Sequence, residues 1–153
     1  MSTPRILMCP PDFYGIEYEI NPWMNRKVGA DHARATEQWR TLRDILVALG
    51  ATIELMDPVP GLPDLVFTAN AGLVYGNRFI GSRFRHGVRQ GESPHYEDFM
   101  KVHGFEAVSL PAMSYFEGAG DALFCGETLL AGYRFRSDAR SHQWIGQALG
   151  VEV

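Results

Sequence analysis

The sequence is poor in cysteine, in basic charge and in long apolar runs, and each shortage removes a class of function. Cys9 and Cys125 are its two cysteines among 153 residues, too few for the disulfide framework of a small secreted domain. The formal net charge is −4, so the chain carries no basic footprint for nucleic acid. No apolar run approaches the roughly 20 residues of a membrane-spanning helix. The N-terminal "MSTPRILMCPP" lacks the apolar core of a secretory leader. These shortages predict a cytoplasmic protein with reduced thiols and with neither a nucleic-acid nor a membrane partner.

Chemical motifs are also missing. "GAGDAL" fails the dinucleotide fingerprint at its last glycine, and there is no P-loop, H-E-x-x-H or C-x-x-C. The five histidines, His32, His86, His95, His103 and His142, have no metal-ligand spacing. Nothing marks a nucleophile elbow for a serine triad. Both cysteines fall in predicted apolar strands, where a thiol is usually an inert small hydrophobe. No metal or organic cofactor is expected, and neither cysteine is chosen as a nucleophile.

What is present is a repeat. The composition, 46% hydrophobic and 21% charged, fits one compact α/β domain over residues 1–153 with no internal boundary. Three helical patterns each end in glycine and lead into a strand. The first runs from about Ala33 to Leu49, with Asp31 as N-cap and an inner face of Ala35, Trp39, Leu42, Leu46 and Leu49; Gly50 closes it and "ATIELM" follows. The second has Ser93 as N-cap, Pro94 in its first turn, and Tyr96, Phe99, Met100 and a packed His103 on its apolar face; Gly104 and "FEAVSL" follow. The third starts near Asp138 and carries Trp144, Ile145, Ala148 and Leu149; Gly150 and "VEV" follow. The closing glycines lie about 50 residues apart, a supersecondary repeat period. Hairpins are expected to turn at Gly76-Asn77 and near Gly126-Glu127. "LPDLVF" reads as a buried strand leading into a small-residue corner. The repeat ends inside a strand with no cap, which suits the front part of a longer protein; the alternative is that "VEV" is the last strand of a complete domain.

Polar residues recur within this layout. Asp64 and Asn70 stand beside one hairpin, Glu117 and Asp121 beside the next, and Arg89 and Arg136 follow the two hairpins at similar distances. Two arginines could clamp a carboxylate bidentately, and the acids could hold a cation; an amino acid with a cationic side chain would satisfy both. Each residue also has a plain structural alternative. For Asp64 it is starting a strand or capping a turn, for Asn70 a left-handed corner, for Gly118 and Gly120 a tight bend alone, and for the arginines a place on the surface. Recurrence of the same layout favours a site.

The ordered segments "LMCPPDFYGIEYEINPWM", "GLPDLVFTANAGLV", "SRFRHGVRQGE", "FEGAGDALF" and "AGYRFRSD" resemble the guanidine-modifying pentein superfamily over nearly the whole chain. The likeness is strongest to its arginine dihydrolase and dimethylargininase-like branch. The resemblance implies a five-bladed α/β propeller of ββαβ-type blades, about three of them present here. It implies hydrolysis of the guanidine group of L-arginine or a methylated arginine by covalent cysteine catalysis. The nucleophilic cysteine and catalytic histidine of that family belong to later blades and are not matched, and Cys9 is not at the nucleophile's place. Glu117 matches the acid that holds the guanidinium, and Asp64 a substrate-binding aspartate. Arg89 and Arg136 match arginines that grip the substrate carboxylate or order the lid, and Asn21 lies on a substrate-covering loop. Asp121 follows "EGAG", one residue longer than the "EGGD" form elsewhere in the family. Asn70 stands where many relatives carry aspartate. A guanidinium presents only donors, whereas the ureido product adds an acceptor oxygen that a carboxylate repels and an amide accommodates; Asn70 would then let citrulline react again to ornithine. An amidinotransferase, or a non-catalytic arginine-binding portion that needs a second chain, are the alternatives, and a homo-oligomer or a missing C-terminal half remain open as partners.

Overall fold

The computed structural model describes residues 3–112 and 114–153. The chain falls into two compact units, one up to Thr68 and one from Ala69 to Val153.

In the first unit, β1 (Arg5–Met8) pairs in parallel with β2 (Thr52–Leu55), from Arg5↔Thr52 to Met8↔Leu55. The connection carries α1 (His32–Ala48), capped by Asp31, whose carboxylate accepts the Arg34 N–H at 3.0 Å. The expected inner face of α1 is only partly realised. Ala35, Trp39 and Leu46 are half-buried, but Leu42 and Leu49 are exposed, and no α1 residue is fully buried. Within its unit α1 has a two-stranded sheet to pack on, so one narrow stripe is half-buried and Leu42 and Leu49 fall outside it. The predicted strand at "LPDLVF" is instead a 3₁₀ helix, Pro63–Val66, closed by the Phe67 N–H on the Asp64 carbonyl at 3.0 Å. Proline fixes φ near the helical value and cannot donate to a ladder, so the segment is buried as expected but coiled.

In the second unit, β3 (Gly72–Tyr75) and β4 (Arg78–Gly81) form an antiparallel hairpin around Gly76, and β5 (Glu106–Val108) lies parallel to β4. The crossover is α2 (Glu92–Val102). A second hairpin, β6 (Ala122–Cys125) and β7 (Thr128–Ala131), precedes α3 (Ala139–Leu149). Ser93 is not the N-cap of α2: the helix starts one residue earlier, and the Ser93 hydroxyl donates to the Ser82 carbonyl at 2.7 Å, tying the helix to the end of β4. His103 packs as expected, its ring stacked on Phe99 at 3.9 Å. Cys9 is buried, but Cys125 is exposed beside the turn of its hairpin, which corrects the expectation that both thiols are covered.

The sequence repeat is also a repeat of hydrogen bonding. Gly50, Gly104 and Gly150 all have positive φ, +89°, +87° and +71°. After each, the next N–H returns to a carbonyl in the last turn: Ala51 to Leu46, Phe105 to Met100, Val151 to Gly146, at 3.0 to 3.1 Å. The residue after that enters parallel pairing, as Arg5↔Thr52, Arg78↔Glu106 and Thr128↔Glu152. Glycine reaches the left-handed region without a Cβ penalty, so the same residue closes each helix and aims each strand.

The core of the second unit joins Leu73, Ile80, Leu110, Phe116, Ala122, Leu129, Ile145 and Leu149. Leu73 and Ile80, cross-strand partners on the first hairpin, are buried in it. Leu123 and Leu130 hold the same register on the second hairpin and are 65% and 61% exposed. Among the described residues no helix is long and apolar enough to cross a membrane.

Candidate functional site

The second unit gathers its polar residues where β3 meets the 3₁₀ turn Gly118–Gly120. Glu117 precedes that turn and is 4% exposed. Its N–H donates to the fully buried Ser137 Oγ at 3.3 Å. Its Oε2 accepts from Asn70 Nδ2 at 3.2 Å and lies 3.8 Å from Arg136 Nε. Arg136 is half-exposed and donates through Nη1 to the Gly120 carbonyl at 3.3 Å.

A buried carboxylate is costly without partners, and these partners satisfy it incompletely. One amide bond is made, while the arginine contact exceeds hydrogen-bond length and is open to solvent screening. A carboxylate has about four acceptor positions, so Glu117 keeps capacity for further N–H donors. Asp121, just beyond the turn, adds to this. Its Oδ2 is buried without a hydrogen-bond partner among the described residues, and a Cβ on Gly132 would lie 2.4 Å from its Oδ1.

The segment carrying Arg136 is fastened to the acid-bearing segment along its length. The Gly132 N–H donates to the Asp121 carbonyl at 2.8 Å, and the Asp138 N–H to the Tyr115 carbonyl at 2.9 Å. Asp138 in turn accepts from the Tyr115 N–H at 3.1 Å and from Arg85 Nη2 at 2.7 Å, with Arg85 over the Tyr115 ring. Burial pushes the Asp138 carboxyl up, but the Tyr115 N–H and the Arg85 and Arg140 charges outweigh it and hold it below the usual carboxylate value. Its stabilising contribution is therefore present above the unfolded pKa and is lost as pH falls through the lower folded value.

Of the seven residues singled out from sequence, Asn70, Glu117 and Arg136 are in mutual contact through Glu117, and Asp121 is next to them across the glycine turn. Arg89 is held differently. It is buried, donating to Glu92 through Nε at 2.7 Å and Nη2 at 2.8 Å, with its guanidinium 4.3 Å from the Phe84 ring centre. Asn21 and Asp64 belong to the first unit. Asn21 Oδ1 accepts the N–H groups of Trp23 and Met24 at 3.0 and 3.2 Å, which shapes an exposed turn. Asp64 is buried in the 3₁₀ helix after Pro63. Sequence reasoning missed Ser137 and the Arg85–Asp138 pair. The one available signal was polar residues adjacent to Arg136 in "FRSD".

No protein-family model matches the sequence. The chain is 48% identical over 152 residues to the bifunctional arginine dihydrolase/ornithine cyclodeaminase ArgZ of Synechocystis sp., covering 97% of this chain and 21% of that protein. It is 40% identical over 151 residues to the N(G),N(G)-dimethylarginine dimethylaminohydrolase of Mycobacterium tuberculosis, covering 99% of this chain and 49% of that one. The crystal structure of the N-terminal domain of ArgZ bound to product matches with a TM-score of 0.93 at 47% identity, over 99% of this chain and 56% of that chain. A dimethylarginine dimethylaminohydrolase adduct matches in fold, with a TM-score of 0.81 at 21% identity. The chain thus spans about a fifth to a half of the length of these curated relatives. It is homologous to the N-terminal part of guanidine-modifying pentein-superfamily proteins, in the branch that holds the arginine dihydrolases and dimethylarginine dimethylaminohydrolase.

Proposed function

We propose that this chain is the substrate-binding front of a guanidine-group hydrolase acting on L-arginine or a methylated arginine, with the cysteine nucleophile and histidine acid/base supplied by residues outside it. The observation that carries this reading is the buried Glu117 carboxylate, incompletely satisfied by Asn70 and Arg136. Names among the relatives support it: one is an arginine dihydrolase, and AgrE, 45% identical in its match, has been crystallised with L-arginine.

Glu117 and Asp121 hold the guanidinium plane and balance its charge. An arriving guanidinium replaces Arg136 beside Glu117, and Arg136 is then available to the substrate carboxylate, where a planar fork binds bidentately. Arg89, fixed by Glu92, supplies a second cation for that carboxylate or for the loop over it. The resemblance assigns Asp64 to substrate binding and Asn21 to a covering loop. In the chemistry, a thiolate attacks the guanidinium carbon, ammonia leaves (a methylamine from a methylated arginine), and water releases citrulline and restores the thiolate. Asn70 offers both a donor and an acceptor, so the ureido group is retained for a second hydrolysis that yields ornithine, ammonia and carbon dioxide.

The same reading makes residues 1–153 one part of a single catalytic domain, with about three of five propeller blades. The exposed Leu123–Leu130 pair supports this: its counterpart Leu73–Ile80 is covered by the next repeat, so a further repeat is expected to cover Leu123 and Leu130.

The test is to combine the chain with the complementary later portion of an arginine dihydrolase and assay arginine. Release of ammonia with ornithine as main product is expected, and Asn70→Asp is expected to raise citrulline at the expense of ornithine. An unchanged citrulline-to-ornithine ratio overturns the role of Asn70. Arginine binding without turnover favours a purely binding portion, transfer of the amidino group to an added amine favours an amidinotransferase, and neither binding nor turnover overturns the whole reading.

A further inference from the structure

Gly118 and Gly120 stand two residues apart in one 3₁₀ turn, yet they need to be glycine for different reasons. Gly118 has φ +55°, and a Cβ there would lie 2.5 to 2.6 Å from the Gly72 backbone. Gly120 is not in the left-handed region, so its backbone is open to any L-residue. The three atoms nearest a Cβ on Gly120 all belong to the Asn70 side-chain amide: Nδ2 at 2.7 Å, Cγ at 2.9 Å and Oδ1 at 3.1 Å. This amide donates to Glu117 Oε2.

We propose that Gly120 is a positioning residue: its missing side chain leaves the space in which the Asn70 amide lies against Glu117. A methyl group at position 120 displaces that amide rather than the backbone, because Asn70 is free to yield by turning its two side-chain torsions. The Asn70 donor then leaves the Glu117 carboxylate, and the donor-acceptor pattern shown to the ligand changes with the fold intact. The tight bend alone does not demand glycine here. What the displaced amide recognises rests on the function proposed above; the steric coupling between residues 120 and 70 does not.

The test is a cycle of Gly120→Ala and Asn70→Ala, singly and together, in the full chain. The Asn70 side-chain amide signal is assigned in a ¹H–¹⁵N spectrum by its loss in Asn70→Ala. Gly120→Ala is expected to shift that signal, to leave the unfolding midpoint within a few degrees of the parent, and to weaken L-arginine binding in calorimetry by about tenfold, the scale of one hydrogen bond to a charged group. In the Asn70→Ala background, Gly120→Ala is expected to change affinity by less than about twofold, because coupled residues are non-additive. An unmoved Asn70 signal, or an equal loss of affinity in both backgrounds, overturns the proposal. If the parent chain binds no arginine, the functional reading fails, and the amide signal still decides the role of Gly120.

Discussion

Glu117→Gln is expected to weaken binding of L-arginine by about a hundredfold or more while leaving the fold as stable as before, or more so. Glu117 is 4% exposed, so water is a poor substitute for a lost partner of its carboxylate. Glutamine keeps the shape and one acceptor oxygen, but it removes the charge and adds an NH₂ group. Turned so that its oxygen accepts from Asn70 Nδ2, the amide leaves its NH₂ on the side where a guanidinium would donate. A guanidinium loses two charge-assisted hydrogen bonds, each worth about 1.5–3 kcal/mol. In an assembled enzyme the same substitution is expected to reduce turnover by about 10²–10⁴, the range for a positioned acid or electrostatic group. Stability moves the other way because the native carboxylate is buried with incomplete pairing; removing its charge relieves that penalty. Such a trade of stability for binding is common at functional sites. Calorimetry with arginine and thermal unfolding read the two effects separately. A large loss of stability with unchanged affinity would make Glu117 a structural residue.

Gly118→Ala is expected to destabilise the second unit by about 3–5 kcal/mol, from strain at a positive φ together with overpacking. The alanine methyl would lie 2.5 Å from the Gly72 carbonyl oxygen and 2.6 Å from its Cα and N. None of these atoms belongs to a side chain that can rotate away. Gly72 cannot retreat either, because it opens β3 opposite Gly81, and its own Cβ position would meet the Ile80 carbonyl at 2.4 Å. Relief requires separating the 3₁₀ turn from β3, and that separation carries Glu117 away from Asn70. Urea unfolding should therefore show a large fall in midpoint for Gly118→Ala and almost none for Gly120→Ala, two residues away in the same turn. Similar losses at both positions would mean that the turn is generally intolerant and that Gly120 has no separate link to Asn70.

Much of this architecture is legible in sequence because it is set by local chemistry. A glycine after an apolar-periodic run ends a helix in the left-handed region, and Gly50, Gly104 and Gly150 do so. Gly76-Asn77 and Gly126-Glu127 turn the two hairpins in register. Local reasoning fails where tertiary partners decide. Leu42 and Leu49 have helical spacing but too little sheet beside them. Pro63 turns an apolar stretch that reads as a strand into a 3₁₀ helix. Ser93 looks like a cap, but its hydroxyl reaches across to Ser82.

The site divides along the same line. Recurrence across repeats is enough to single out Asn70, Glu117 and Arg136, which are 47 residues apart in the first pairing and meet at one carboxylate. Ser137 carries no such mark, because a buried serine holding a backbone N–H looks like any serine in a loop. Arg89 matches a ligand-gripping arginine in sequence, and the ion pair with Glu92 that fixes it becomes visible in the structure. The reason Gly120 must be small is visible only once the Asn70 amide is seen beside it.

Whether Glu117 receives the guanidinium of an arginine-like ligand is decided by following the Glu117 side-chain carboxyl in a ¹³C spectrum of the chain during titration with L-arginine, with L-norleucine as the control lacking a guanidinium. A saturable shift of the Glu117 signal with arginine and none with norleucine is predicted. A Glu117 signal that stays fixed while arginine binds elsewhere, or that moves equally with norleucine, would contradict it.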